Sequence, residues 1–333
     1  MKKYTSSNPK TMSAKLRIFW SVIVSIGIVA FLAVLSIWVL WPVRQISLQT
    51  ASIHPFSFAG AQTEVAKINQ TEKSEGVIAG CYSKLYIHPQ PTAQAVVVFH
   101  GVGACPQQFS VVAQYFYDHG YNVYVPLTPE HGRADNLNHA KVTAQQLIDY
   151  VNTSVNITDG LGSHIGVIGL SGGGNLATWA AEYRPEVKRL LALSPFYEPS
   201  VSQAPKWKIR PLMVLYGNHL VPDALNKPND PQHALSYYAL AQYVTVFHNL
   251  PEPLKKTNLQ HVAVVMAADD DLIDQPLALK TLGNIASTDH LTLEHYEVPA
   301  SFKLGHDIVS PDNQYVAQNQ AFLDQKYLAM YEQ

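Results

Sequence analysis

Ser171 stands in the run Gly169-Leu170-Ser171-Gly172-Gly173, directly after the apolar stretch His164–Leu170. A serine hydroxyl attacks a carbonyl effectively only when a neighbouring base removes its proton. To be reached, it must be held proud of the backbone at a sharp strand-to-helix turn, a crowded conformation that demands small neighbours. The glycines flanking Ser171 meet that demand, and the N–H groups that follow open a helix. A phosphate-binding loop is the competing reading of a glycine-rich turn. It calls for G-x-G-x-x-G or a Gly-Lys-Ser/Thr ending, and neither is present. Ser171 is therefore the candidate nucleophile.

A base must lie within its reach. If the chain order is serine, acid, histidine, the base follows the last strand. Of the 14 histidines, His290 and His295 fall at the start of that strand or within it. His306 sits beyond it, in the loop Lys303-Leu304-Gly305-His306-Asp307 before the final helix, where an imidazole can approach Ser171. The acid that orients the imidazole belongs at the end of an earlier strand. Asp269, Asp270, Asp271 and Asp274 crowd the end of Val262–Ala267, and Glu198 competes from the end of Arg189–Ser194. Some of these carboxylates should be solvated or should cap the next helix; the residues alone leave the choice open. One N–H for a tetrahedral oxyanion comes from Gly172. The second should come from the loop His100-Gly101-Val102-Gly103, where two glycines let the backbone curl, and each donor contributes roughly 3 kcal/mol to the transition state. Histidine pairs at ligand spacing are absent from the sequence, so neither metal nor cofactor is expected.

These residues need a scaffold. Ala95–His100, Tyr121–Pro126, His164–Leu170, Arg189–Ser194, Val262–Ala267 and Leu291–Val298 read as strands. Helical spacing separates them over Gln107–His119, Ala134–Val155, Asn175–Tyr183 and Pro276–Ala286, and a last helix spans Asp312–Tyr331. The alternation predicts a doubly wound, mainly parallel sheet covered on both faces. Between Pro195 and Leu259 the rhythm breaks into prolines and aromatics, which reads as an insertion at a strand's carboxyl end.

The order of parts resembles the α/β-hydrolase superfamily, and most of all its monoglyceride lipase, carboxylesterase and serine-aminopeptidase-like branch. The likeness runs from about Gln94 to the C-terminus apart from the insertion. Three stretches carry it: FHGVGACPQQF (Phe99–Phe109), GYNVYVPLTPEHGR (Gly120–Arg133) and GLSGG. The resemblance implies that Val102 supplies the second oxyanion N–H. It also implies that the acid falls in a Gly-x-x-Asp-x-x-Val turn, here Ala267-Ala268-Asp269-Asp270-Asp271-Leu272-Ile273, which points to Asp270. Ala267 and Glu130 depart from the branch, each replacing a usual glycine. The insertion, about 196–259, is implied to be a cap over the active site, its aromatics suiting an acyl chain or packing its own small core. The implied site is Ser171, Asp270 and His306 with Val102 and Gly172. The implied activity is hydrolysis of a lipid-like or small acyl ester. A peptide or amide hydrolase on the same residues, or an inactive hydrolase fold that binds, are the alternatives.

The first forty residues bear on location. Lys2, Lys3, Lys10, Lys15 and Arg17 precede Ile18–Trp41, which carries no charge and exceeds the roughly 20 residues a helix needs to span a bilayer. The positive flank predicts a cytoplasmic tail over 1–17, an anchor over 18–41, a linker over 42–74 and a hydrolase domain over 75–333 outside the cytoplasmic membrane. A long cleaved signal peptide is the alternative. Nucleic acid is not an expected partner, because the net charge is −2 and there is no basic run past the N-terminus. Cys81 and Cys105, the two cysteines, can form one disulfide in an oxidising compartment or remain two buried thiols.

Overall fold

The computed structural model describes residues 14–230 and 234–333, the side chains of 37–39 excepted. Lys2, Lys3 and Lys10 lie outside the described residues, as do positions 231–233 of the expected cap. The chain divides after Pro42 into two compact units. In the first, helix α1 (Ala14–Leu40) carries a 23-residue stretch, Ala14–Ser36, within which an 18-residue window reaches a mean hydropathy of 2.7 with none of that window buried. It is long and apolar enough to cross a membrane, a property it shares with signal sequences.

The second unit, Val43–Gln333, is built on a seven-stranded sheet. Its strands are β1 (Lys84–Tyr86), β2 (Thr92–Phe99), β3 (Tyr121–Val125), β4 (Gly162–Leu170), β5 (Val187–Leu193), β6 (His261–Ala267) and β7 (Leu293–Val298). They lie in the order β1-β3-β2-β4-β5-β6-β7. Of these seven strands only β1, at one edge, runs antiparallel to its neighbour. A parallel strand flanked by helices is buried on both faces, so it reads as a continuous apolar run. In β2, Ala95, Val97 and Phe99 face one core layer while Val96 and Val98 face the other. Each such valine contributes roughly 1.5–3 kcal/mol of burial.

Register decides where the chemistry can sit. Phe99 pairs with Gly169, Leu170 with Leu193, and Ala267 with Val298. With Leu193 paired to Val265, the carboxyl ends of β2, β4, β5, β6 and β7 finish within about two residues of one another, and the loops leaving them start from one edge. That edge is where ligands bind in open α/β sheets.

Two readings are corrected here. Of the stretch 42–74 expected as a linker, the residues from Val43 on are part of the second unit and pack within it. Leu48 is buried, with its carbonyl accepting from Trp179 Nε1 at 2.8 Å, and Arg44 Nη2 donates to the Leu250 carbonyl. Helix α2 (Phe58–Ser74) is capped by the Ser57 side chain and buries Ala61 and Val65. Its apolar stripe is short and set among polar residues, so its periodicity is faint. The helix expected over Ala134–Val155 starts later. Helix α3 (Ser110–Asp118) precedes β3, and α4 (Ala144–Asp159) starts where Thr143 and Gln146 form a capping box. Such a box satisfies two of the N–H groups that a helix start leaves orphaned.

The expected cap contains a short helical run over 206–216 and the helix α6 (Tyr237–Phe247). Helix α5 (Gly172–Tyr183) follows β4, α7 (Gln275–Thr288) follows β6, and α8 (Gln314–Glu332) closes the chain.

Candidate active site

Ser171 occupies the turn between β4 and α5 with φ 56° and ψ −122°, a region an L-residue adopts only when its surroundings enforce it. Those surroundings are visible. The Ser171 N–H donates to the Leu193 carbonyl at 3.0 Å, and its own carbonyl accepts from Phe196 and Asn175. A Cβ on Gly169 would collide with the Gly173 carbonyl, and one on Gly173 with the Phe99 carbonyl. The glycines thus let the helix start pack directly on the strand ends, which lifts Ser171 into the convergence of loops.

His306 reaches it from the loop after β7. Its Nε2 lies 2.8 Å from Ser171 Oγ and its Nδ1 lies 2.8 Å from Asp270 Oδ2. A carboxylate only accepts, so Nδ1 carries the proton and Nε2 is left to accept from the serine hydroxyl. The Asp270 side chain is fully buried, and its second oxygen accepts from the Leu272 N–H. An imidazole held in this tautomer can draw the proton from Ser171 as its oxygen attacks.

The other candidate acids are engaged elsewhere. Asp269 accepts from the Gly305 N–H, Asp271 is exposed, and Asp274 caps α7 and pairs with Lys206. Glu198 accepts from Lys206 and His248. Burial pushes its carboxyl up, but the bonds to His248 and Lys206 outweigh that and hold it below the usual range.

Val102 and Gly172 are also brought together. A Cβ on Gly172 would come 2.5 Å from Val102 Cγ2. Gly172 is the first residue of α5, so its N–H is one of the donors a helix start leaves without an intrahelical partner. The neighbouring Gly101 N–H is already taken, donating to Gln108 Oε1 at 2.9 Å.

Three residues beside the site escaped the sequence reading as contributors: His100, Gln108 and Asp307. His100 is buried between Gly101 and Thr128. Its Nδ1 donates to the Gly101 carbonyl and its Nε2 accepts from the Thr128 N–H, so it is neutral. Burial pulls its pKa down to about 4, only partly offset by the bond to Gly101. The signal available was position alone, at the start of the loop His100-Gly101-Val102-Gly103.

A cavity of about 820 Å³ opens over Ser171 and His306. Its apolar wall comes from Val102 and Leu170 and, in the inserted segment, from Phe196, Ile209, Leu212, Leu235 and Leu240. Among the described lining residues Asp307 is the one carboxylate. Its Oδ2 accepts from Gln108, and its Oδ1 from the N–H groups of Val309 and Ser310.

A mainly parallel sheet of this order, with a serine on a strained turn at its carboxyl edge, is the α/β-hydrolase fold. Residues 90–242 match the family described as serine aminopeptidase, S33. Solved structures with the same fold include a metagenome-derived lipolytic enzyme, at 18% identity and TM-score 0.52, covering 75% of this chain and 99% of that one. A soluble variant of monoglyceride lipase from Saccharomyces cerevisiae, at 12% identity and TM-score 0.53, covers 75% and 92%. The monoacylglycerol lipase of Paleococcus ferrophilus, at 14% and 0.51, covers 75% and 98%. No curated relative matches at the level of sequence.

Proposed function

We propose that the protein hydrolyses carboxylic esters with an apolar acyl group. Ser171 Oγ attacks the carbonyl, His306 Nε2 takes the hydroxyl proton and passes it to the leaving alkoxide, and Asp270 steadies the imidazolium. Water then enters with the same base and releases the acid from the acyl-serine. The N–H groups of Val102 and Gly172 receive the oxyanion, a contribution of roughly 3 kcal/mol each. Segment 196–259 acts as the cap that walls the acyl site. Helix α1 holds the domain at a membrane, with Lys15 and Arg17 on the cytoplasmic side and the domain on the other; the ester is then met outside the cytoplasm.

One observation carries the choice of ester over peptide. An aminopeptidase must hold a free ammonium group, which calls for an unengaged carboxylate in the pocket. The one lining carboxylate among the described residues, Asp307, has both oxygens occupied by protein donors, whereas the wall offers extensive apolar surface. The fold neighbours known as a lipolytic enzyme and monoglyceride lipases agree with this reading; the family description as a serine aminopeptidase is what favours the peptide alternative. A panel of p-nitrophenyl esters and aminoacyl p-nitroanilides, run on the wild type and Ser171→Ala, tests it. Ester turnover that disappears in the variant is expected. Turnover of the anilides at a higher kcat/KM than the esters would overturn the ester reading.

A further inference from the structure

Gln108 lies in a short 3-10 turn, Pro106–Phe109, that follows the oxyanion loop. Its amide is used at both ends. Oε1 accepts from the Gly101 N–H at 2.9 Å, and Nε2 donates to Asp307 Oδ2 at 3.0 Å. The second bond spans 199 residues of sequence and ends on the residue next to His306. A Cβ on Gly101 would find Gln108 Oε1 at 3.5 Å and Ser171 Cβ at 3.6 Å, so the amide sits beside the serine.

We propose that Gln108 is a positioning residue for the ester hydrolysis proposed above, on which this inference rests, fixing the oxyanion loop and the His306 loop relative to each other. By occupying the Gly101 N–H it turns the next donor, that of Val102, toward the space over Ser171. By holding Asp307, whose other oxygen gathers the Val309 and Ser310 N–H groups, it anchors the loop that delivers the base. The loop is otherwise bent at Lys303 and Gly305, both at positive φ, and held by Asn313 Nδ2 on the Leu304 and Asp307 carbonyls. A misplacement of about 1 Å between oxyanion donors and base costs on the order of 10²-fold in rate, so one two-ended amide is enough to matter.

The donor and acceptor of the Gln108–Asp307 pair can be exchanged. In Gln108→Glu two carboxylates confront each other. In Asp307→Asn the amide nitrogen can face either Gln108 Nε2 or the Val309 and Ser310 N–H groups, and both arrangements lose a bond. In the double variant, Glu at 108 accepts from the Gly101 N–H and from the Asn at 307, whose oxygen still serves Val309 and Ser310. Net charge and bond count are restored. Full-length protein in detergent is assayed for kcat, KM, rate of fluorophosphonate labelling at Ser171 and melting temperature. The expected result is a kcat and labelling rate at least 10-fold lower in each single variant, KM within about twofold, and recovery of most of the rate in the double variant. Single variants with wild-type kcat, or rate losses that follow melting temperature and stay unrescued in the double variant, would overturn the proposal. Failure of the wild type itself to label at Ser171 would strike the hydrolase reading instead.

Discussion

Gly172 and Val102 meet at the mouth of the helix that follows the serine, leaving no room for a side chain between them. A Cβ on Gly172 would lie 2.5 Å from Val102 Cγ2 and 2.8 Å from the Tyr243 ring. Tyr243 is fully buried and cannot retreat, so Val102 must shift. Gly172→Ala should therefore move one oxyanion donor off its line and lower kcat/KM for esters by about 10²-fold. Helix α5 should survive, since alanine is a better helix former than glycine. Steady-state kinetics beside circular dichroism check this; an unchanged kcat/KM would remove Val102 and Gly172 from the oxyanion site.

The disulfide Cys81–Cys105 joins the segment before β1 to the residue that ends the oxyanion loop, across a separation of 24 residues. Closing a loop of that length in the unfolded chain stabilises the fold by about 3 kcal/mol. Reduction, or Cys81→Ser with Cys105→Ser, should lower the melting temperature by on the order of 5–10 °C. Differential scanning fluorimetry with and without reductant reads the effect, and identical curves for oxidised and reduced protein would contradict it.

Glu182 is a buried carboxyl on α5, and neither of its oxygens has a hydrogen-bond partner. Burial, with the Asp289 charge adding to it, pushes its pKa up to about 8 from 4.5. Between those values the folded chain keeps a proton that the unfolded chain has released. Its contribution to stability is thus full below about pH 4.5 and is lost as pH rises through about 8, a span worth roughly 3–5 kcal/mol. His100 acts in the opposite sense. Its pKa falls from 6.5 to about 4, so the unfolded chain takes up the proton first and stability drops as pH falls below 6.5. Glu182→Gln should flatten the alkaline limb of melting temperature against pH and leave the acid limb in place. An unchanged slope between pH 5 and 8 would show that Glu182 does not titrate in this way.

How much of this was legible in the sequence follows from where each signal resides. The strands were legible because a parallel strand buried on both faces is apolar throughout, as in Val96–Phe99 and Val262–Ala267. Ser171 was legible because its turn imposes glycines locally. His306 could be placed by topology, since a loop leaving the last strand ends on the same edge as Ser171. The acid could not be fixed from residues alone. Asp269, Asp270 and Asp271 are consecutive, and only the turn geometry directs Asp270 inward. Helix α2 escaped because its buried face consists of little more than Ala61 and Val65. Gln108 escaped for a different reason: its partners, Gly101 and Asp307, are joined only through the tertiary fold.

Every step proposed above starts from Ser171, activated by His306, as the nucleophile. A fluorophosphonate probe, which bonds only to an activated serine, tests this assignment most directly when the adduct is located by mass spectrometry. A single adduct on Ser171 is expected, absent in Ser171→Ala and formed on the order of 10²-fold more slowly in His306→Ala. Folded protein that forms no adduct, or carries it on another serine, would contradict the account.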